Sequence, residues 1–545
     1  MMTNFTKRLS LLMAAVVVFG FSATAQTVLF SEEFNGGLGT FVAGAGTPVG
    51  AIWEHSSDGT AGASGDGTIS ALFWGTGDPI GSATVANGCA MYNSDVYDGG
   101  GVAVGSGAYP GTHSGDLTSP TIDLSGESNI SLKFNQSARA NANDVSTLLD
   151  ISTDGGTTWV NYPINPGITG NASTADDDVQ LIDISSVAAN QANVKVRFTW
   201  NGRYYYWLVD DVQVIRTPQH NLSMGDYFYA PAAYAQPVTQ IGTDTMGFWV
   251  NVSNIGAADQ TNLKVVASVT DENLVPIWSD SIQINTLVAG YIDTFLELPN
   301  TFIPNALTVG TYAVTYDITA DSTDFDTSDN FGGNFFLVTD SSYNMVPSAA
   351  SATRPGGNPN YQIGNVYRTS GGFNAGDFLA TNFIFTAAVN AADGPLDGKI
   401  VNVWLVEVAA NVDAEYDNFD TNLDLDNNPD LTRVGFHTYT FPTGAANYDD
   451  FIGQLEDINT GNAGVPLKPN TRYFLLTEYT GANNVIFSGV SEARDYFQIS
   501  TIIYNESDGT WYLGGFGEET SAFVGMDIRD IRPTSNTRTV ELENA

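Results

Sequence analysis

The chain has a single cysteine, Cys89, among 545 residues, so no disulfide can form within it. Stability must come from large apolar cores or bound metal, and at this length large cores are affordable. Basic side chains are also scarce. Nineteen Lys and Arg stand against 60 Asp and Glu, a formal net charge of −41, which excludes nucleic-acid phosphate and anionic membrane surfaces as partners. The four histidines, His55, His113, His220 and His437, are scattered without ligand spacing and read as turn or surface residues. There is no H-E-x-x-H, no G-x-S-x-G elbow and no E-x-D-x-x-E run, so metalloprotease, serine-hydrolase and sandwich-glucanase chemistry all lack their motif. Beyond the first residues no apolar run is long enough to span a bilayer, which predicts no membrane insertion.

That first run defines an address. Lys7 and Arg8 precede the apolar residues 11–21, and Ala23-Thr24-Ala25 supplies the small-residue cleavage pattern, so residues 1–25 read as a signal peptide removed before Gln26. The mature protein is expected outside the cell or on its surface.

What the chain has in abundance is glycine, 56 residues, and short segments of period-2 alternation. In residues 311–319, Tyr312, Val314, Tyr316 and Ile318 share one face of a half-buried strand. Similar strands are expected at 130–134, 193–200, 262–269, 400–408 and 472–479, each bounded by turn residues. With almost no helical periodicity between them, the class is all-β, built from three tandem antiparallel β-sandwich domains: a jelly roll, an Ig-like sandwich and a third β-sandwich. Composition shifts place these at 27–217, 220–339 and 345–535.

The first domain carries three ordered motifs: Leu29-Phe30-Ser31-Glu32-Glu33-Phe34-Asn35-Gly36-Gly37, then Leu117-Thr118-Ser119-Pro120-Thr121-Ile122-Asp123-Leu124-Ser125, then Trp207-Leu208-Val209-Asp210-Asp211-Val212. Together they resemble the MAM-like and cleaved-adhesin jelly rolls, specifically the choice-of-anchor J domain of secreted Bacteroidetes proteins. The resemblance implies a two-sheet jelly roll serving attachment or extracellular binding. It also implies that the first and last strands meet at one sheet edge, bringing Glu32 and Glu33 near Asp210 and Asp211. Four carboxylates so placed would either fan into solvent or gather a structural calcium ion, and calcium is the expectation. Phe248-Trp249-Val250-Asn251-Val252-Ser253-Asn254-Ile255-Gly256 resembles the adhesion-type CARDB sandwich. The tail, residues 536–545, resembles the segment that precedes a sorting domain in type IX secretion clients.

Several local patterns carry possible chemistry. Ser152-Thr153-Asp154-Gly155-Gly156-Thr157-Thr158-Trp159 is a complete Asp box, read here as a hairpin whose Asp caps backbone N–H groups, not as a sialidase element. Asp424, Asp426, Asn428 and Asp430 place oxygens at alternate residues, a spacing that suits calcium, although Pro429 occupies the position of the EF-hand turn glycine. An ordinary acidic loop is the other reading. Tyr205 and Trp207, with Trp53 and Trp74, form a candidate stacking platform for sugar rings, against the alternative of core packing. Glu407 and Glu478 are the best carboxylate pair for glycoside cleavage, and a separation beyond ~10 Å would exclude them. The balance favours a non-catalytic extracellular or surface protein binding a glycan or another protein. A secreted glycoside hydrolase or peptidase accessory is the rival.

Overall fold

The computed structural model describes residues 26–61, 79–100, 105–140, 146–165, 168, 172–229, 233–242, 245–492, 499–514 and 520–532. Residues 1–25, expected to be a signal peptide, Trp74 and the tail 536–545 lie outside the described residues. The protein is all-β, with antiparallel sheets throughout except where Ala235–Pro237 runs parallel to Phe331–Thr339. Among the described residues two short α-helices, Ser94–Gly99 and Ser185–Ala188, sit between strands.

Strands from Val28 to Arg216 make two sheets. One runs Glu54–Ser56, Cys89–Tyr92, Tyr206–Arg216, Ile130–Arg139, Asp178–Asp183, with Val28–Glu32 also pairing to Tyr206–Arg216. The other runs Val42–Ala43, His113–Thr118, Lys195–Gly202, Ser146–Ser152, Val160–Pro163. Alternation works as expected: Leu132 and Phe134 from the first sheet and Leu149, Ile151, Val196 and Phe198 from the second meet in one core.

Residues 222–339 form a three-stranded sheet of Leu222–Tyr229, Phe248–Asn254 and Thr294–Glu297 facing a five-stranded one. In the latter, Gly310–Thr319 buries Tyr312, Val314, Tyr316 and Ile318, the face read from the sequence.

The last group, 342–530, is built on a seven-stranded sheet ordered Glu456–Asp457, Leu431–Thr440, Ile400–Val408, Arg472–Tyr479, Tyr361–Arg368, Thr501–Asn505, Thr510–Leu513. Two smaller sheets pack on one of its faces, over Val401, Val403, Leu405, Tyr473 and Leu475. Its other face carries a second core, where Val406, Phe474 and Leu476 pack under Tyr416, Phe419 and Leu425 of the loop that joins its second and third strands. Both faces being covered fits the consecutive apolar residues Tyr473, Phe474, Leu475 and Leu476 within 472–479. Gly364 lies in the middle of this sheet, where a Cβ would meet the Leu475 carbonyl oxygen at 1.8 Å.

Candidate functional site

The aromatic platform expected on the first domain is not a surface, and this is a correction. Trp53 and Trp207 are 1% and 0% exposed and Tyr205 4%. Trp53 packs against Trp207 with ring centroids 5.4 Å apart, and the two indole N–H groups donate inward, to the Gly115 carbonyl and to Gln136 Oε1. Strict alternation fails locally because Tyr204 and Tyr205 both take positive φ, 63° and 56°, so the strand begins only at Tyr206.

The calcium ligands of that domain are not gathered either. The first and last strands do pair, with Glu32 opposite Val212. Glu32, however, accepts hydrogen bonds from Phe34 N, Thr40 N and Thr40 Oγ1. This fold-back requires Gly39, at φ 57°, because a Cβ there would overlap the Glu32 carboxylate. Glu33 is exposed. Asp210, fully buried, accepts from Ser82 Oγ and Asp211 N, and Asp211 accepts from Ala83 N and Thr84 Oγ1. Hydroxyl and N–H donors of residues 82–84 thus turn both carboxylates toward that segment, not toward Glu32. Burial still pushes Asp210 up to about 6.

In the third domain the alternate-oxygen loop is an acidic turn. Asp424 accepts from Asp426 N, Asn427 N and the Asn427 amide, Asp426 pairs with Arg433, Asn428 accepts from Asp430 N, and Asp430 accepts from the Asn411 amide. The oxygens point to separate donors and do not converge on one point. Among the described residues, no three His, Cys, Asp or Glu side chains come together as a cation site.

The Asp box is a capped hairpin loop. Asp154 accepts from Thr157 N, Thr158 N, Thr158 Oγ1 and Ser152 Oγ, which holds its carboxyl well below the usual range, and Trp159 lies under the Arg197 guanidinium at 4.1 Å.

His113 departs from its expected surface role. It is 1% exposed, its Nε2 is 2.8 Å from Ser94 Oγ and its Nδ1 contacts the Gly111 carbonyl. Burial lowers its pKa. With Ser94 itself fully buried and a backbone carbonyl where a triad would need a carboxylate, the pair is structural.

Glu407 and Glu478 are separated by the seven-stranded sheet. Glu478 lies opposite Asn402, and Glu407 lies five residues further along the same strand, opposite Tyr473. An odd offset puts the two side chains on opposite faces, and five residues span ~16 Å. Glu407 binds Lys468 Nζ at 2.6 Å.

Glu478 instead belongs to a polar row that crosses five strands in register: Thr438, Asn402, Glu478, Gln362 and Tyr504. Its carboxylate accepts from Gln362 Nε2 at 2.7 Å, Asn402 Nδ2 at 3.0 Å and Trp404 Nε1 at 3.0 Å. Thr438 Oγ1 donates to Asn402 Oδ1. Trp404, on the next row of the same face, is sandwiched between Phe436, at a 4.4 Å centroid separation, and the Arg433 guanidinium, 4.4 Å from its ring. Where the covering loop ends, this row opens into a cleft of about 230 Å³, lined by Gln362, Glu478, Arg433, Asp426, Tyr504 and Glu506 among others. The loop is fixed by Arg472, which donates to the Val412 and Asp413 carbonyls, and by Trp511 Nε1 donating to Leu423 O. Of these residues the sequence reading had singled out Glu478, Asp424 and Asp426. Polar Gln362 and Asn402 within largely apolar strands were the available signal for the rest.

Fold and cleft together define a class: an all-β protein of stacked sandwiches, with a polar cleft on a sheet face. No family model matches the chain, and no curated protein matches its sequence. Among solved structures it is similar to a β-glucuronidase of Parabacteroides merdae, at 12% identity and TM-score 0.22 over 44% of this chain and 30% of that one. It is also similar to a Bacteroides uniformis β-glucuronidase 2, at 11% and 0.26 over 58% and 32%. A glycosyl hydrolase family 2 member from Bacteroides cellulosilyticus matches at 11% and 0.20 over 44% and 29%. The chain spans about a third of the length of these solved chains, and likeness at this level assigns it no activity.

Proposed function

We propose that this is a non-catalytic extracellular or cell-surface binding protein with a glycan as its ligand. The observation that carries the reading is the state of Glu478. Glu478, which lines the cleft on the main sheet of the third group, is committed to three N–H donors, and Glu407, the carboxylate paired with it in the sequence reading, lies on the other face of the sheet. A general acid or nucleophile needs a free oxygen at the reacting atom and a matched partner across the substrate. A carboxylate that orients two amides and an indole instead builds a binding surface. The signal-like residues 1–25, the choice-of-anchor J resemblance of the first domain and the type IX-like tail support a secreted, surface-directed protein.

Affinity electrophoresis against a polysaccharide panel, run beside a reducing-end assay, tests this. Retardation by at least one polysaccharide without release of reducing ends is the expected result. Turnover abolished by Glu478→Gln would overturn it.

A further inference from the structure

We infer that the second sandwich domain pairs with a second copy of this chain through the free edge of the strand Pro276–Leu287, antiparallel about a two-fold axis beside Ser281. The inference is independent of the ligand reading above.

Pro276–Leu287, twelve residues long, is an end strand of its five-stranded sheet. It pairs with Gln260–Thr270 on one side and, among the described residues, with no strand on the other. The other end strands of the described sheets have two to six residues, except Leu222–Tyr229, which has eight and a register shift between Met224 and Tyr227. A free edge is a row of unpaired backbone N–H and C=O groups, which proteins blunt with short strands, Lys, Pro or bulges. Here Pro276 and a register shift stand only at the start, and Trp278–Leu287 keeps one register with no Lys, Arg or Pro. Its one charged side chain, Asp280, accepts from Asn300 N and Nδ2.

Exposed apolar side chains mark both ends of this edge. Leu274, Val275 and Ile277 lead into the strand and Val288 and Tyr291 follow it, each between 44% and 55% exposed. One exposed apolar residue is ordinary, but a group at each end of one free edge forms a patch. Leu274 stands seven residues before Ser281 and Val288 seven after it. An antiparallel pair centred on Ser281 therefore sets Leu274 of one copy level with Val288 of the other, at both ends at once.

The net charge of −41 opposes self-association, yet the outer row of this strand carries none of it. Ser279, Ser281, Gln283 and Asn285 are neutral and exposed, and the same centre sets Ser279 opposite Gln283 and Ser281 opposite its copy. Hydroxyls and amides both donate and accept, so the row complements itself. A foreign strand drawn to this acidic chain would be basic, and the row offers it no carboxylate. Paired strands of this length span only ~34 Å, so the dimer is a weak one, with a dissociation constant on the order of 10 μM. It presents two copies of every binding surface, which raises avidity for a repeating ligand.

The test is sedimentation velocity on the chain from residue 26 onward, the mature form expected from the sequence, at about 1 to about 300 μM. Three variants at exposed positions accompany it: Ser281→Lys with Gln283→Lys, Leu274→Ser with Val288→Ser, and single nitroxide labels on Ser281→Cys or Glu272→Cys, the native Cys89 being buried. We expect a monomer that becomes a dimer as concentration rises. The lysine pair should weaken the dimer about tenfold or more, although it lowers the net negative charge and would strengthen any association limited by general repulsion. The serine pair should weaken it severalfold, and circular dichroism should show every variant folded. Electron-electron spin spacing in the dimer should be under ~20 Å for Ser281→Cys and beyond ~45 Å for Glu272→Cys, nine residues from the axis. A monomer at every concentration overturns the inference and leaves the edge to a strand of another protein. A dimer untouched by the lysine pair, or a long spacing at Ser281→Cys, overturns the edge. Short spacings at both positions overturn the antiparallel arrangement.

Discussion

Trp404 donates its indole N–H to Glu478 at 3.0 Å from the neighbouring strand, so an aromatic ring and a carboxylate hold each other in place on one face of the third domain's main sheet. Asn402 and Gln362 complete the set from either side, and all three N–H groups converge on one acceptor.

Replacing that acceptor should therefore be expensive. Glu478→Gln puts an NH₂ group among three N–H donors and should cost about 1–3 kcal/mol in urea unfolding. Glu407→Gln breaks only an ion pair to the half-exposed Lys468 and should change stability by less than ~1 kcal/mol. Equal costs for the two would contradict the separation of their roles.

Acid should stabilise the first domain. Asp95 is 2% exposed with Oδ2 unpartnered, and burial, reinforced by the charge of Asp98, pushes it up to about 7. The native state keeps a proton that the unfolded chain releases above ~3.9. The stability contributed by that proton is full below ~3.9 and is lost as pH rises to about 7, by no more than ~4 kcal/mol. Calorimetry should show a melting temperature that falls between about pH 4 and about pH 7, and Asp95→Asn should flatten the slope. An unchanged slope in Asp95→Asn would assign the pH dependence to other groups.

Trp53 and Trp207 should behave as core residues. Each truncation to Ala should cost about 3–5 kcal/mol and leave retardation by polysaccharide unchanged, as measured on protein that still folds. A loss of sugar binding with full stability would restore the surface platform.

Calcium should leave the unfolding midpoint where chelator leaves it, because Glu32, Asp210 and Asp211 already accept from N–H and hydroxyl donors. A calcium-dependent rise that disappears in Asp210→Ala would show that those donors give way to the ion.

Sequence alone determined the class of this protein. Strict alternation in 311–319 named the buried face of that strand, and the limits of 400–408 and 472–479 were legible because turn residues bound each run. The Asp box could be read as a hairpin because its bonds are local, all made within seven residues. What sequence left open was every pairing set by register. Whether Glu478 meets Glu407 or Gln362 depends on which residues face each other across strands more than 100 positions apart, as Gln362 and Glu478 are. Whether Tyr205 and Trp207 point out or in turned on two positive φ angles that only the packed core selects. Carboxylates expected to share a cation found hydroxyl and N–H donors instead, from segments that tertiary folding brought against them. Local periodicity encodes which face is apolar; the partners of a polar group are fixed only when distant strands come into register.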